Sequence, residues 1–363
     1  MKVFQCQSCG QLLYFENTRC ERCGRALGYL PEACSLTALE PLGDGSWTAL
    51  ADPQSGAVRY CGNQQHQACN WLLPADSPDL LCLACRLNRT IPDIGDAVQL
   101  RLWRSLEEVK RRLVYSVLRL GLPLVSKRED PVRGLAFDFL ADASHGTNEQ
   151  SRVTTGHANG LITIDTAEAD PAERERRRVT LAEPYRTLPG HLRHEVGHYY
   201  WDRLFETEDE RAAYREVFGD ERADYGQALE AYYANGPAPN WRERFVSAYA
   251  SAHPWEDWAE TWAHYLHILD TMETAAAFGL APGALSGGRS RLAVDDPFGP
   301  GVSFDALIET WLPLTYAVNS LNRGMGQPDL YPFVLSPRAI EKLRFVHGWI
   351  EQRHARPQSP AGC

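Results

Sequence analysis

Residues 191–198 read HLRHEVGH, and His194, Glu195 and His198 within that run form an H-E-x-x-H pattern. On a helix, residues four apart share a face, so His194 and His198 can each offer a ring nitrogen to one tetrahedral Zn2+. Glu195 is turned sideways, toward the position where water would sit, and is read as a general base. A bound zinc lowers the pKa of water and polarises a carbonyl, so the three residues together predict hydrolytic chemistry. His191 is also near, but Pro189-Gly190 marks a helix start, which makes His191 a first-turn residue or one that supports a ligand from behind. The plain alternative is a chance match on a surface helix. Against it, the flanks LRHEVGHYYWDRL are apolar enough for a buried helix, where two imidazoles need partners.

Working outward, a third ligand is expected from HPWEDWAETWAHYLHIL, residues 253–269. Glu256, Glu260, His264 and His267 recur there at three- or four-residue spacing on a background of Trp255, Trp258, Trp262 and Leu266. Glu256 and Glu260 share a face, so one can bind zinc while the other accepts the outward N–H of a zinc-bound imidazole; spacing alone leaves the choice open. His264 is the alternative third ligand, or else a polar neighbour of the site.

The H-E-x-x-H helix followed by an E-x-x-A-E helix resembles the gluzincin group of zinc metallopeptidases, and EDWAE is similar to the matching run of the anthrax lethal factor catalytic domain. That resemblance implies His194, His198 and Glu256 as ligands, Glu195 as base, and Glu260 as the acid beside a ligand histidine. It also implies Tyr249, seven residues before Glu256, as a hydroxyl donor to the tetrahedral intermediate, although AYASAHP around it departs from the pattern. The whole chain is similar to a bacterial family of zinc-binding metallopeptidases with an N-terminal zinc ribbon. The similar runs are CNWLLPADSPDLLCLACRLNRTIPD, HANGLITI, RHEVGHYYWDRL, WAETWAHYLHI and LNRGMGQPDLYPFVL, which with the first ribbon sample residues 6 to about 350.

Eight of the ten cysteines lie near the N-terminus in two groups. Cys6-x-x-Cys9 and Cys20-x-x-Cys23 have the spacing of a four-thiolate zinc ribbon, and Gly10 and Gly24 after each pair suit the tight knuckle turn. In the second group Cys82-x-x-Cys85 is regular while Cys61 and Cys69 are not, and His66 is a possible substitute for one of them. Cys34 reads as a small buried residue and Cys363 lies in a polar tail. With no apolar leader in MKVFQCQSC and no membrane span, paired knuckles predict metal-bound thiolates in the cytoplasm. One catalytic and two structural zincs are expected.

The balance of 47 acids against 37 Lys and Arg, a formal charge of −10, argues against nucleic acid, which needs a clustered basic face. The main basic run, ERERRRV at 173–179, reads as a solvated helix or loop face. The ribbons are therefore expected to be structural caps or protein-docking modules.

These signals predict an α+β chain: N-terminal zinc-ribbon modules, then a mainly helical gluzincin-like metallopeptidase domain with a small β-sheet. Expected boundaries are a ribbon at 1–30, a second cysteine-rich module at 31–95 ending in RTIPDIGD, a metallopeptidase-like domain at 96–352, and a disordered tail at 353–363. SWTAL, AVRY, 132–140 and 160–165 read as strands. Of these, GLITIDT after the turn HANG is expected to present an edge for strand addition by an extended peptide. Helices are expected at 102–122, across FDALIETWLPLTYAVNSLNRGMG with an interruption near Pro313, and from Pro337 with Ser336 as cap, while 281–301 reads as a long loop. Two further readings remain open: a noncatalytic scaffold with a structural H-E-x-x-H metal, and amide hydrolysis on a nonpeptide substrate.

Overall fold

The computed structural model describes residues 1–141, 153, 155–180, 183, 185–280 and 294–354. Most of the predicted 281–301 loop, nearly all of the 353–363 tail and Cys363 lie outside the described residues. The chain divides into two compact units between Arg177 and Arg178.

In the first unit, β1 (Phe4–Gln5) and β2 (Leu12–Leu13) pair antiparallel around the first cysteine knuckle. Gly10 and Gly24 adopt φ of 73° and 74°, and their N–H groups close turns onto the carbonyls of Cys6 and Cys20 at 2.8 Å. An antiparallel five-stranded sheet follows in sequential order: β3 (Leu27–Leu30), β4 (Ser35–Pro41), β5 (Trp47–Ala49), β6 (Ala57–Tyr60) and β7 (Leu72–Pro74). Leu30, Leu39, Ala49, Val58 and Leu72 form its apolar face. Cys34, in the turn between β3 and β4, is buried.

A second sheet is built from β8 (Asn88–Thr90), β9 (Ala136–Leu140), β10 (Gly156–Ala158) and β11 (Leu161–Asp165) in the order β10-β11-β9-β8. This corrects the expectation that GLITIDT presents a free edge. Asn159 and Gly160, with φ of 50° and 80°, form a tight turn that folds β10 back onto β11, and β9 pairs parallel on its other side. Strand addition to β11 is therefore excluded, and the motif that suggested the strand is the one that covers it.

Helix α1 (Ala97–Arg119) starts earlier than its apolar period because the Asp96 carboxylate accepts from the N–H groups of Val98 and Gln99. Its buried Arg111 donates to the Ala68 carbonyl, Asn88 donates to Glu107 at 2.7 Å, and Phe15 and Tyr29 pack edge-on against Tyr115. The cysteine-bearing segments, α1 and the second sheet thus share one unit. The basic run forms α2 (Pro171–Thr180), where Arg177 pairs with Asp165, Glu168 and Glu173.

The described part of the second unit is helical: α3 (Leu188–Leu204), α4 (Glu208–Phe218), α5 (Tyr225–Asn235), α6 (Trp241–Arg244), α7 (Pro254–Ala277), α8 (Phe304–Gly324) and α9 (Pro337–His354). Its centre is the packing of α3 on α7. Tyr200 stacks on Trp262 with ring centroids 5.0 Å apart, and the Trp258 indole donates to the Gly197 carbonyl at 2.8 Å. From α9, Phe345 and Trp349 pack against Phe205, and Ser336 caps the helix by accepting from the Ala339 N–H at 3.1 Å. Helix α8 runs through Pro313, correcting the expected interruption. The proline removes one N–H donor, but buried Trp311 and Leu314 on either side anchor the helix.

Candidate metal centre

Three groups of side chains have metal-ligand geometry among the described residues: Cys6, Cys9, Cys20 and Cys23; Cys61, Cys69, Cys82 and Cys85; and His194, His198 and Glu256. In each, one ligand atom per residue lies within 4.8 Å of all the others.

The third group belongs to α3 and α7. Thr187 caps α3 by accepting from the Gly190 N–H, and Pro189 sits in the first turn, so the helix is established before His194 is reached. His194 Nε2 and His198 Nε2 are 3.2 Å apart. Helix α7 begins with His253 as cap and Pro254 next, which places Glu256 in its first turn. Glu256 Oε2 lies 3.0 Å from His194 Nε2, and Oε1 lies 3.7 Å from His198 Nε2. Ligands at about 2.0–2.1 Å from a tetrahedral zinc stand about 3.3 Å from each other, so these separations fit one ion. The chemistry fits as well, because Glu256 is 1 % exposed and its Oε2 is buried with no hydrogen-bond partner. Burial opposes charge on Glu256, but the two imidazoles outweigh it and hold the carboxyl well below the usual carboxylate range.

Glu260 takes a different place. Its Oε1 lies 2.7 Å from His194 Nδ1, and its Oε2 accepts from the Ser247 hydroxyl at 2.5 Å. A hydrogen bond from His194 Nδ1–H to Glu260 would leave Nε2, on the side of His198 and Glu256, to serve as a metal ligand once deprotonated. His264 lies outside the group: its Nδ1 is 2.7 Å from the Tyr331 hydroxyl, Phe333 packs edge-on against its ring, and burial lowers its pKa to about 4. Glu195 is buried, and burial pushes its carboxyl above the ordinary range despite the neighbouring imidazoles. The Tyr249 ring stands 5.9 Å from that of His194, and burial raises its hydroxyl pKa.

Sequence reasoning missed Tyr225, whose hydroxyl donates to Glu256 Oε1 at 2.7 Å, and Ser247. Neither stands at a spacing that marks it. The His253 cap was closer to legible, since a polar side chain before Pro254 is a helix-start signal.

At the first cysteine group, Cys6 and Cys23 sulfurs are 3.7 Å apart and those of Cys9 and Cys20 are 3.6 Å apart. At the second, Cys69 and Cys82 sulfurs are 3.7 Å apart. Four thiolates about 2.3 Å from one zinc have edges of about 3.8 Å, so both groups fit a zinc ion held by four cysteines. His66 is not a member; its carbonyl accepts from Arg104 and its ring faces Trp103. The second group is backed by α1, where Cys85 lies 3.6 Å from Glu107 and Glu107 pairs with buried Lys110 at 2.8 Å.

Two helix-borne histidines and a buried carboxylate thus converge in the second unit, and two four-cysteine clusters lie in the first. Residues 99–349 match the family described as "Putative zinc-binding metallo-peptidase", and residues 3–96 match a zinc-ribbon domain. The chain belongs to this zinc-binding metallopeptidase family and carries its zinc ribbon at the N-terminal end. Relatives titled "Uncharacterized protein" in Mycobacterium bovis (Mb2598c) and Mycobacterium tuberculosis (Rv2568c) are each 44% identical over 353 residues, covering 97% of this chain and 96% of theirs. No solved structure matches the chain. No helix among the described residues is long and apolar enough to cross a membrane.

Proposed function

We propose that this protein hydrolyses peptide bonds at a zinc ion held by His194, His198 and Glu256, with Glu195 as general base. The observation that carries this reading is the convergence of His194 Nε2, His198 Nε2 and Glu256 Oε2 beside a buried glutamate that is not itself one of the three. When bound there, zinc supplies Lewis-acid charge that activates water and polarises the substrate carbonyl. Glu195 takes a proton from the attacking water and passes it to the leaving amine nitrogen; a carboxyl raised by burial is suited to both acts. Glu260, itself held by Ser247, fixes the His194 tautomer. Tyr249, whose ring stands 5.9 Å from that of His194, takes the role of hydroxyl donor to the developing oxyanion in this reading. The two four-cysteine groups hold structural zinc, giving three ions per chain, and the ribbon modules serve as structural caps or protein-docking elements rather than as nucleic-acid readers.

A noncatalytic metal site would gain support from a fourth protein ligand. Glu260 and His264, the other candidate ligands on α7, are both engaged elsewhere, Glu260 with His194 Nδ1 and Ser247, and His264 with Tyr331. The deciding experiment compares wild type with Glu195→Gln for metal content and for cleavage of a peptide library. The variant should keep three zincs per chain and lose at least about 100-fold in rate, the lower range of general-base contributions. Full activity in the variant would eliminate the mechanism.

A further inference from the structure

The carboxylate of Glu256 uses its two oxygens differently, and the division is made by a residue from a third helix. Oε2 faces His194 Nε2 at 3.0 Å and is buried without a hydrogen bond, whereas Oε1 accepts from the Tyr225 hydroxyl at 2.7 Å. Tyr225 is the first residue of α5, directly after the cap Asp224, whose side chain accepts from the Gln227 N–H. Its ring stands edge-on to His253, the residue that caps α7 shortly before Glu256, and 5.9 Å from Trp255. One tyrosine therefore touches the start of α7 on its ring side and the carboxylate of α7 with its hydroxyl.

We infer that Tyr225 is a positioning residue for the metal site: its hydroxyl holds Glu256 as a one-oxygen ligand through Oε2 and couples zinc binding to the docking of α5. The inference rests on the proposed zinc site and adds to it a determinant of affinity outside the ligand set. A buried carboxylate with one oxygen unanchored can rotate about its terminal torsion, which is broad, and so can present either oxygen or both to an ion. The Tyr225 bond removes that freedom. Hydrogen bonds to metal ligands of this kind change metal affinity by about 10–100-fold when lost.

Helix α5 gives the coupling its second half. None of its residues is fully buried, so it has no apolar core of its own; besides Tyr225, it meets the site through the Tyr232 ring, 5.7 Å from Tyr249. A helix with no fully buried residue belongs to the low-stability end of a structure. Linkage requires that whatever factor α5 docking adds to zinc affinity, zinc adds to α5 docking. The same bond thus makes the helix beside the site sense whether the ion is bound.

The test uses the full chain as wild type, Tyr225→Phe, Tyr233→Phe on the same helix, and the His194→Ala/His198→Ala double variant. Two measurements are made: zinc affinity of the most weakly held ion by chelator competition, and hydrogen exchange of residues 225–235 with and without that ion. In wild type, zinc should slow exchange in α5 by tenfold or more. Tyr225→Phe, which keeps the ring contacts, should bind the third zinc about 10–100-fold more weakly and lose the zinc-dependent protection. It should also keep both cysteine-bound zincs and its melting temperature in excess chelator; Tyr233→Phe should match wild type. A change of under about tenfold in Tyr225→Phe, while the double histidine variant has lost one zinc, overturns the positioning role and leaves the metal site standing. A loss of melting temperature in chelator, or weakening equal to that in Tyr233→Phe, reduces Tyr225 to a packing residue and also overturns it. A double histidine variant that retains every zinc overturns the metal-site reading itself.

Discussion

Gly197, inside the H-E-x-x-H run, sets how closely α3 and α7 approach, and Gly197→Ala tests whether that distance governs the metal site. A Cβ at this position would lie 3.0 Å from Ala259 Cα and 3.2 Å from both Cβ and Cδ1 of Trp262. Ordinary carbon contacts need about 3.5–4.0 Å, so relief requires a shift of roughly 0.5 Å. The obstacle on α7 is backbone and the root of a fully buried tryptophan, neither of which can swing aside. Two effects oppose each other. Replacing a mid-helix glycine by alanine favours α3 by roughly 0.8–1.0 kcal/mol, whereas overpacking a tight core costs about 1–3 kcal/mol. The overpacking should win by about 1 kcal/mol, a fall of roughly 2–4 °C in melting temperature for a unit of this size. The metal site should suffer more, because a separation of about 0.5 Å exceeds the roughly 0.2 Å tolerance of a zinc coordination shell and acts directly between His198 on α3 and Glu256 on α7. Thermal unfolding in excess chelator reads the first effect and zinc competition the second, where at least a tenfold loss is expected. A variant that melts higher than wild type and binds zinc equally well would refute the reasoning, since helix propensity would then act unopposed.

Two further perturbations probe the scaffold. Lys342 on α9 donates to Asp257 at 2.6 Å and to the Arg244 carbonyl at 2.8 Å, with side chains 4% and 0% exposed for the ionic pair. Lys342→Met leaves Asp257, whose carboxyl burial already raises to about 7, without its cation and should cost up to about 3–5 kcal/mol in urea unfolding; a loss below about 1 kcal/mol would mean that Asp257 takes up a proton or that another donor replaces the lysine. In the first unit, burial tends to raise Asp138, but Arg89 and Thr90 outweigh it and hold the carboxyl below its usual value. A depressed folded-state pKa contributes stability that is present above the unfolded value of about 3.9 and is lost as pH falls through the folded value. Asp138→Asn should therefore melt below wild type at pH 7, with the gap closing below about pH 4; a gap independent of pH would sink the assignment.

The residue groups that could hold a metal were legible in the sequence to different depths, and chemistry explains the difference. Zinc accepts few ligand types, so His194 and His198 at helical spacing, the regular C-x-x-C pairs and an acidic residue on the next helix narrow the choices sharply. The separation of Glu256 from Glu260 needed the structure, since residues four apart share a face and only the crossing of α3 and α7 decides which of them reaches Nε2 of His194 and which reaches Nδ1. Strand order was hidden for a related reason: the Asn159-Gly160 turn signals a hairpin, yet nothing local says that β9, some 25 residues earlier by the strand pairing, occupies the far side of β11. Residues that support a ligand are the least visible of all. An oxygen of Glu256 or Glu260 can be satisfied by any hydroxyl, amide or backbone N–H that arrives at the right distance, so residue type carries little information. Tyr225 and Ser247 fill that role from segments whose own sequence shows only a helix start and a short turn. A motif therefore points to the atoms that could hold an ion, while the side chains that would tune how tightly they hold it are brought into reach only by the packing.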